Sequence, residues 1–232
     1  MLSSFKADHH FVPRSLIGVV TACALWLSST ALADSPAPPY TYKIESEDGR
    51  YVFVMLTGLS AEEELWRLSE GFGAEISAIK SQYPQSGLYS ADDPSNPLWT
   101  VDWYAHSVLP FSDGIHLVRE GPWAVSGRSE GVSFFANGEL LKSYAVSDLV
   151  LAPWAMPHSI SHFTWRKETS IDDESLSYDV LTIHRESIRF DARTGEITRS
   201  FSPPLLLIIV LPGSLVWVVL VLRSRARTSD SE

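Results

Sequence analysis

The sequence predicts a mainly β domain built of antiparallel hairpins, with one inserted helical segment and a C-terminal transmembrane helix. Three observations carry this expectation. Short apolar runs flank Asp48-Gly49, Asp113-Gly114 and Asn137-Gly138, the dipeptides that most strongly signal tight hairpins. The stretch Ser60 to Gln82 changes to helical character. The run from Leu205 to Leu222 holds eighteen residues without a charge.

The N-terminal segment comes first. Lys6 and Arg14 precede an apolar stretch from Leu16 to Leu27, and Ala31-Leu32-Ala33 forms an A-x-A site before Asp34. That is the layout of a secretory signal peptide over residues 1–33. Two other fates stay open: an uncleaved signal anchor, or lipidation at Cys23 within Val20-Thr21-Ala22-Cys23. All three place the middle of the chain outside the cytoplasm. Residues 34–39 are a Pro/Ala linker.

The exported domain is expected over 40–202. Tyr40 to Ile44 and Tyr51 to Leu56 pair around Asp48-Gly49. Ser60 with Glu63 is a capping box, and Glu62, Glu63 and Glu64 crowd the first turn, where the helix dipole favours negative charge. The same run has the donor chemistry of a metal site. Gly71 and Gly73 break the helix, and Ala74 to Lys80 resume it. Pro84 to Pro97 reads as a loop, and Leu98 to Tyr104 as an aromatic strand. Val108–Phe111 with Ile115–Val118, and Val132–Phe135 with Leu140–Tyr144, are hairpins. Val146 to Leu151 is one helical turn ended by Pro153. Phe163–Arg166 is a short strand, Val180–His184 pairs with Ser187–Asp191, and Thr194-Gly195 turns into Glu196–Phe201. The sheet arrangement stays open between a blade-like open sheet, a sandwich and a small partial propeller.

The phrase Ser46-Glu47-Asp48-Gly49-Arg50-Tyr51-Val52-Phe53-Val54 resembles the opening of β-propeller blades. Phe111-Ser112-Asp113-Gly114-Ile115-His116 repeats it, and Phe190-Asp191-Ala192-Arg193-Thr194-Gly195-Glu196-Ile197 is similar to a blade's closing strands. The resemblance implies repeated four-stranded units. The glycines Gly49, Gly114, Gly138 and Gly195 are spaced 65, 24 and 57 apart, whereas a propeller repeats every ~40 residues. The layout as a whole resembles bacterial single-pass membrane proteins, a likeness that implies no activity. The tail is also similar to bacterial sorting tails of the PEP-CTERM type, but Ser202-Pro203-Pro204 lacks their glutamate, so it reads as a permanent anchor.

The anchor has the right length and composition. Eighteen helical residues rise roughly 27 Å against a hydrocarbon core of ~30 Å. Fourteen of the eighteen are Leu, Ile or Val, worth roughly −4 to −8 kcal/mol of insertion free energy. Arg223, Arg225 and Arg227 follow at once, making 223–232 a cytoplasmic tail by the positive-inside rule. The lipid bilayer, met through Leu205 to Leu222, is thus the first expected partner. The expected location is a single-pass bacterial inner-membrane protein with its bulk in the periplasm.

Charge narrows the partners further. Residues 34–202 carry 25 acidic and 13 basic side chains, a net charge of −12. No basic footprint for nucleic acid exists. Cys23 is the sole cysteine, so disulfides do not staple the domain. No Gly-x-Ser-x-Gly elbow or phosphate loop occurs, and no cofactor is expected.

The remaining chemistry-bearing residues are few. His158 and His162 are four apart, a usable metal pair on a helix, although Pro157 argues for a loop. Asp102 sits among Trp99, Trp103 and Tyr104, where a carboxylate in an apolar site can serve acid–base chemistry; His106 is the nearby second catalytic candidate. Trp99 and Trp103 share a face if the segment is a strand, as an aromatic binding platform or as core. Asp172-Asp173-Glu174 is a solvated loop or a calcium contact. The role expected from all this is a non-enzymatic interaction or accessory module with an envelope or membrane protein partner. The alternative is a membrane-tethered hydrolase acting on envelope polymers.

Overall fold

The structure, a computed structural model, describes residues 38–60, 62–64, 73–159 and 161–203. The expected signal peptide, the transmembrane helix and the cytoplasmic tail lie outside these residues. Among the described residues, no helix is long and apolar enough to cross a membrane.

The described chain is mainly β. Twelve strands form three four-stranded antiparallel sheets, each a meander in chain order. Sheet 1 holds β1 (Tyr42–Glu45), β2 (Tyr51–Met55), β3 (Gly87–Ser90) and β4 (Asp93–Thr100). Sheet 2 holds β5 (Val108–Pro110), β6 (His116–Glu120), β7 (Glu130–Ala136) and β8 (Glu139–Ala145). Sheet 3 holds β9 (Arg166–Asp172), β10 (Ser177–Thr182), β11 (Ser187–Asp191) and β12 (Glu196–Phe201). Helix α1 (Gly73–Gln82) lies in the insertion between β2 and β3, and the single turn α2 (Val146–Leu149) follows β8.

The opening hairpin of each sheet is closed by an aspartate that binds its own turn. Asp48 Oδ1 accepts the Arg50 amide at 3.0 Å. Asp113 Oδ1 accepts those of Ile115 and His116, both at 2.9 Å. Asp172 Oδ1 accepts those of Glu174 and Ser175 at 3.0 and 3.1 Å. These Asx turns offer the chain a reversal it can form from local residues alone.

Three expectations need correction. Pro84 to Pro97 is not a loop, because β3 and most of β4 lie within it. Pro94 and Pro97 are tolerated because β4 is an edge strand, where a missing N–H leaves no ladder bond unmade. The expected strand to Tyr104 stops at Thr100, and residues 101–107 run irregularly to β5. The short strand expected at Phe163–Arg166 instead begins at Arg166 and runs to Asp172 as β9.

The three sheets pack face to face. Phe53, Met55, Leu88 and Trp99 of sheet 1 meet Val108, Leu117 and Phe135 of sheet 2. Val118, Val132 and Phe134 on the other face of sheet 2 meet Tyr178, Val180, Ile188 and Phe190 of sheet 3. The period-2 pleat sends alternate residues of β6 to the two interfaces. Leu117 faces sheet 1 and Val118 faces sheet 3. Burying each such side chain stabilises by about 1.5–3 kcal/mol.

Both ends of this stack are finished. Val52, Val54 and Tyr89 on the far face of sheet 1 are covered by Ile79 of α1 and by Tyr83. The far face of sheet 3 is polar. Arg189 donates bidentately to Asp179 at 2.8 and 2.7 Å, across the register pair Asp179↔Arg189.

A repeated contact locks each sheet on the next. Asn137 and Gly138 both adopt positive φ, 51° and 82°, the type I′ turn that matches strand twist. A Cβ on Gly138 would lie 2.5 Å from the Thr100 carbonyl oxygen of sheet 1. In the same way, a Cβ on Gly195 would lie 2.7 Å from Lys142 Cβ of sheet 2. Gly138→Ala is therefore expected to cost about 2–3 kcal/mol, from backbone strain and the backbone clash together. Gly49→Ala, also at positive φ but with open space around its Cβ, should cost only about 1 kcal/mol. Denaturant midpoints of the two variants measure the difference, and equal losses would mean that the sheets do not abut at this turn.

Candidate functional site

Residues 101–104 line a cavity of about 490 Å³ together with Pro39, Leu56 to Leu59 and Ser86. This is where the structure brings several predicted site residues together. Trp103 and Asp102 both line it. Asp102 is exposed, because the strand expected to enclose it has already ended. Trp103 packs between the sheets, with its ring centroid 4.8 Å from that of Phe135 and the Arg119 guanidinium 4.6 Å above it. Trp99 packs on the same Phe53 ring as Trp103, with centroids 5.9 and 6.3 Å away, so the pair belongs to the core between sheets 1 and 2. Trp99 is 8% exposed, and its indole N–H donates to the Gly114 carbonyl at 3.0 Å.

Tyr104 connects the cavity to His106. Its hydroxyl accepts the Tyr40 amide at 2.9 Å and donates to the Tyr40 carbonyl at 3.1 Å. His106 Nδ1 lies 3.4 Å from the same hydroxyl, with the rings edge to face at 5.1 Å. Burial pushes the His106 imidazole below its ordinary pKa, which favours the neutral ring.

Beside the cavity stands Glu64, whose place in the first helical turn reads in the sequence as helix-end charge. The capping box forms as expected. Ser60 N donates to Glu63 Oε2 at 2.9 Å, and Glu63 N donates to Ser60 Oγ at 3.2 Å. The next residue, Glu64, is fully buried. Its Oε2 accepts the Thr41 amide at 2.8 Å, and Oε1 accepts the Thr41 hydroxyl at 3.0 Å. The Thr57 hydroxyl donates to it too. Lys80 from α1 places Nζ 2.5 Å from Oε1 and also reaches the Thr57 carbonyl at 3.3 Å. Burial works against the Glu64 charge, but Lys80, Thr57 and Thr41 outweigh it and hold the carboxyl below its ordinary pKa.

One sequence signal pointed to Glu64. The i,i+4 spacing of Glu64 and Leu68 is that of one helical face, which aligns Glu64 with an apolar residue.

A half-buried carboxylate links sheets 2 and 3. Glu120 accepts the Ser107 hydroxyl at 2.8 Å and the Tyr178 hydroxyl at 2.9 Å. Arg166 Nη1 is 3.3 Å from it, and Nη2 donates to the Gly121 carbonyl at 2.9 Å. Burial opposes the Glu120 charge, and Arg166 is the largest of the partners that pull its pKa down.

The two histidines lie on non-helical backbone, as Pro157 argued, and not on one helical face. A β-bridge joins His158 to Phe163, so the i,i+4 geometry of a helix does not apply. His158 Nδ1 lies 2.5 Å from the Met156 carbonyl. His162 stacks on Trp123 with centroids 3.9 Å apart, beside a cavity of about 390 Å³ also lined by Trp165 and Arg166. Among the described residues, no group of three or more His, Cys, Asp or Glu side chains could hold a metal ion.

The acidic residues 172–174 meet Glu47, Asp48 and Ser112 around an opening of about 560 Å³, where the first turns of all three sheets converge. Asp48, Asp172 and Asp173 serve the fold. Asp173 accepts the Ser112 amide at 2.9 Å and its hydroxyl at 2.5 Å. The Arg50 amide, ahead of its side chain and Ser46, holds Asp48 far below the usual carboxylate range.

Comparison with protein-family models and with curated proteins gives no match.

Proposed function

We propose that this chain is a non-enzymatic interaction or accessory module, exported and held at a membrane by its C-terminal apolar segment, with its body on the outer face. One observation carries the interaction part. Residues 121–129 and 147–163 are pinned together: the Phe163 amide donates to the Ala124 carbonyl at 2.8 Å, and the Ser147 amide to the Gly127 carbonyl at 2.8 Å. These two loops expose Trp154 at 79%, Val125 at 72% and Trp123 at 39%. Large aromatics on a backbone held this firmly are the side chains that dominate protein–protein contacts. In the same reading, the three meanders are a run of blade-like units that present the connecting loops at their edge. The export signal, the anchor and the arginines behind it place the partner in or beside the membrane.

A photo-crosslinking residue at 123 or 154 tests this in native membranes. The expected result is a protein adduct of the same mass from both positions, absent when the crosslinker is at Arg199 on the polar outer face of sheet 3. Adducts that are missing at 123 and 154, or equal at 199, overturn the reading.

The second reading is a membrane-tethered hydrolase, favoured by the cavity that Asp102, Trp103 and Tyr104 line. It ranks lower because Asp102 is the one carboxylate among the lining residues, and glycoside hydrolysis takes two.

A further inference from the structure

The end of β12 runs beside an apolar groove of about 300 Å³. Leu149, Val150, Leu151, Ile188, Ile197 and Phe201 line it. Three of them face solvent as well: Leu151, Ile197 and Phe201 are 41%, 39% and 50% exposed. Their setting is rigid. Glu186, buried at the base, accepts the Leu151 amide at 3.0 Å, the Thr182 hydroxyl at 3.0 Å and the Ser202 hydroxyl at 3.4 Å. The groove's two lips, one from the loop after α2 and one from the end of β12, thus hang on one carboxylate.

The position of this groove along the chain matters. Phe201 is followed by Ser202, Pro203 and Pro204, and then by the apolar run that begins at Leu205. Three residues span at most about 10 Å. With the anchor entering the bilayer at Leu205, Phe201 lies within about 14 Å of the entry point even at full extension. Apolar faces that lie on membranes sink about 5–10 Å into the boundary between headgroups and acyl chains, so the groove is within reach of that boundary.

We propose that Leu151, Ile197 and Phe201 form a second, non-spanning contact with the lipid surface of the membrane that the anchor enters. The proposal rests on the anchored reading and deepens it, because it fixes the tilt of the body. Two contacts, the span and this rim, hold the sheet stack in one orientation; a span alone leaves it free to swivel. The lipid is zwitterionic. The exposed Asp148 and the buried Glu186 flank the groove, and the domain is acidic overall, so anionic headgroups gain nothing here. The contact is apolar and therefore insensitive to salt.

The test uses the full chain with Cys23→Ser, reconstituted into phosphatidylcholine vesicles. Single cysteines at Leu151, Ile197 or Phe201 carry an environment-sensitive fluorophore, and Glu174→Cys and Asp92→Cys, both at exposed turns, serve as controls. The three groove positions are expected to shift to the blue and to be quenched by lipids brominated in the acyl chain, unchanged in high salt. The controls should be quenched only by aqueous iodide. Alkaline carbonate extraction of the same vesicles separates the two layers of the argument. A chain stripped by carbonate overturns the anchored reading. A chain that stays, with Leu151→Cys behaving like Glu174→Cys, overturns the lipid contact alone. Groove labels shielded from iodide but untouched by brominated lipid also overturn it, because protein then fills the groove. Circular dichroism of each labelled chain confirms that the β fold survives, as expected for exposed positions.

Discussion

Replacing Glu64 with alanine is expected to destabilise the body by about 3–5 kcal/mol, the cost of removing one partner of a buried ion pair. For a domain of this size, that lowers Tm by roughly 6–20 °C. The reason is what stays behind. Lys80 Nζ loses its counter-ion at 2.5 Å, and the Thr41 amide and hydroxyl lose their acceptors. The same carboxylate ties the first helical turn, β1 and α1 together. The double variant Glu64→Leu with Lys80→Met should recover most of the loss, because an apolar pair of similar volume leaves no orphaned charge.

The effect depends on pH with a definite sign. The folded pKa of Glu64 is depressed, so its contribution is complete above the unfolded glutamate value of about 4.3 and is lost as pH falls through the folded value. Glu120 acts in the same direction. Thermal unfolding of wild type and Glu64→Ala at pH 7 and at pH 3 should therefore show a gap that narrows in acid. A gap of constant width would mean that the Glu64 charge is not what stabilises this corner.

Replacing Phe134 with alanine is expected to cost about 3–5 kcal/mol as well, here through a cavity. Phe134 is fully buried. Its ring lies 5.0 Å from Phe190, 6.1 Å from Tyr178 and 6.4 Å from Tyr144, centroid to centroid. Aromatic contacts of this kind add to the area term. The next residue, Phe135, sends its ring to the other interface, 4.8 Å from Trp103. The two variants should therefore loosen different sheets. Amide exchange should quicken most in β10 and β11 for Phe134→Ala, and most in β2 and β3 for Phe135→Ala. The same exchange pattern from both would mean that the three sheets open as one unit.

The hairpins were legible because their information is local. Asp48-Gly49, Asp113-Gly114 and Asn137-Gly138 reverse the chain using residues two or three apart. The Ser60–Glu63 cap was legible for the same reason. Strands β3 and β4 were not, since Pro94 and Pro97 look like breakers until the edge position of β4 is known. Trp99 and Trp103 both reach Phe53 although the strand ends between them, so their shared contact does not follow from strand alternation. The spacing of His158 and His162 suits a metal pair only on a helix, and Pro157 already argued for the non-helical backbone that the bridge from His158 to Phe163 shows.

The candidate site was legible in part. Asp102 and Trp103 do meet at one cavity, but the buried carboxylate beside them was taken for a helix-end charge. A glutamate's place in the first turn is a sequence fact. Whether it turns outward or inward depends on Lys80, sixteen residues on, and on Thr41, twenty-three residues back.

By itself, the sequence determined the β class, the hairpin turns, the helix cap and the acidic, disulfide-free character of the body. Each of these depends on neighbours along the chain or on composition. Only the tertiary structure decided that the hairpins gather into three four-stranded sheets stacked face to face. It alone showed that a helix closes one end of that stack and a salt-bridged polar face the other. Stacking is settled by which apolar faces meet. Phe53 against Trp103 and Phe134 against Phe190 are pairings across some fifty residues, which no local pattern records.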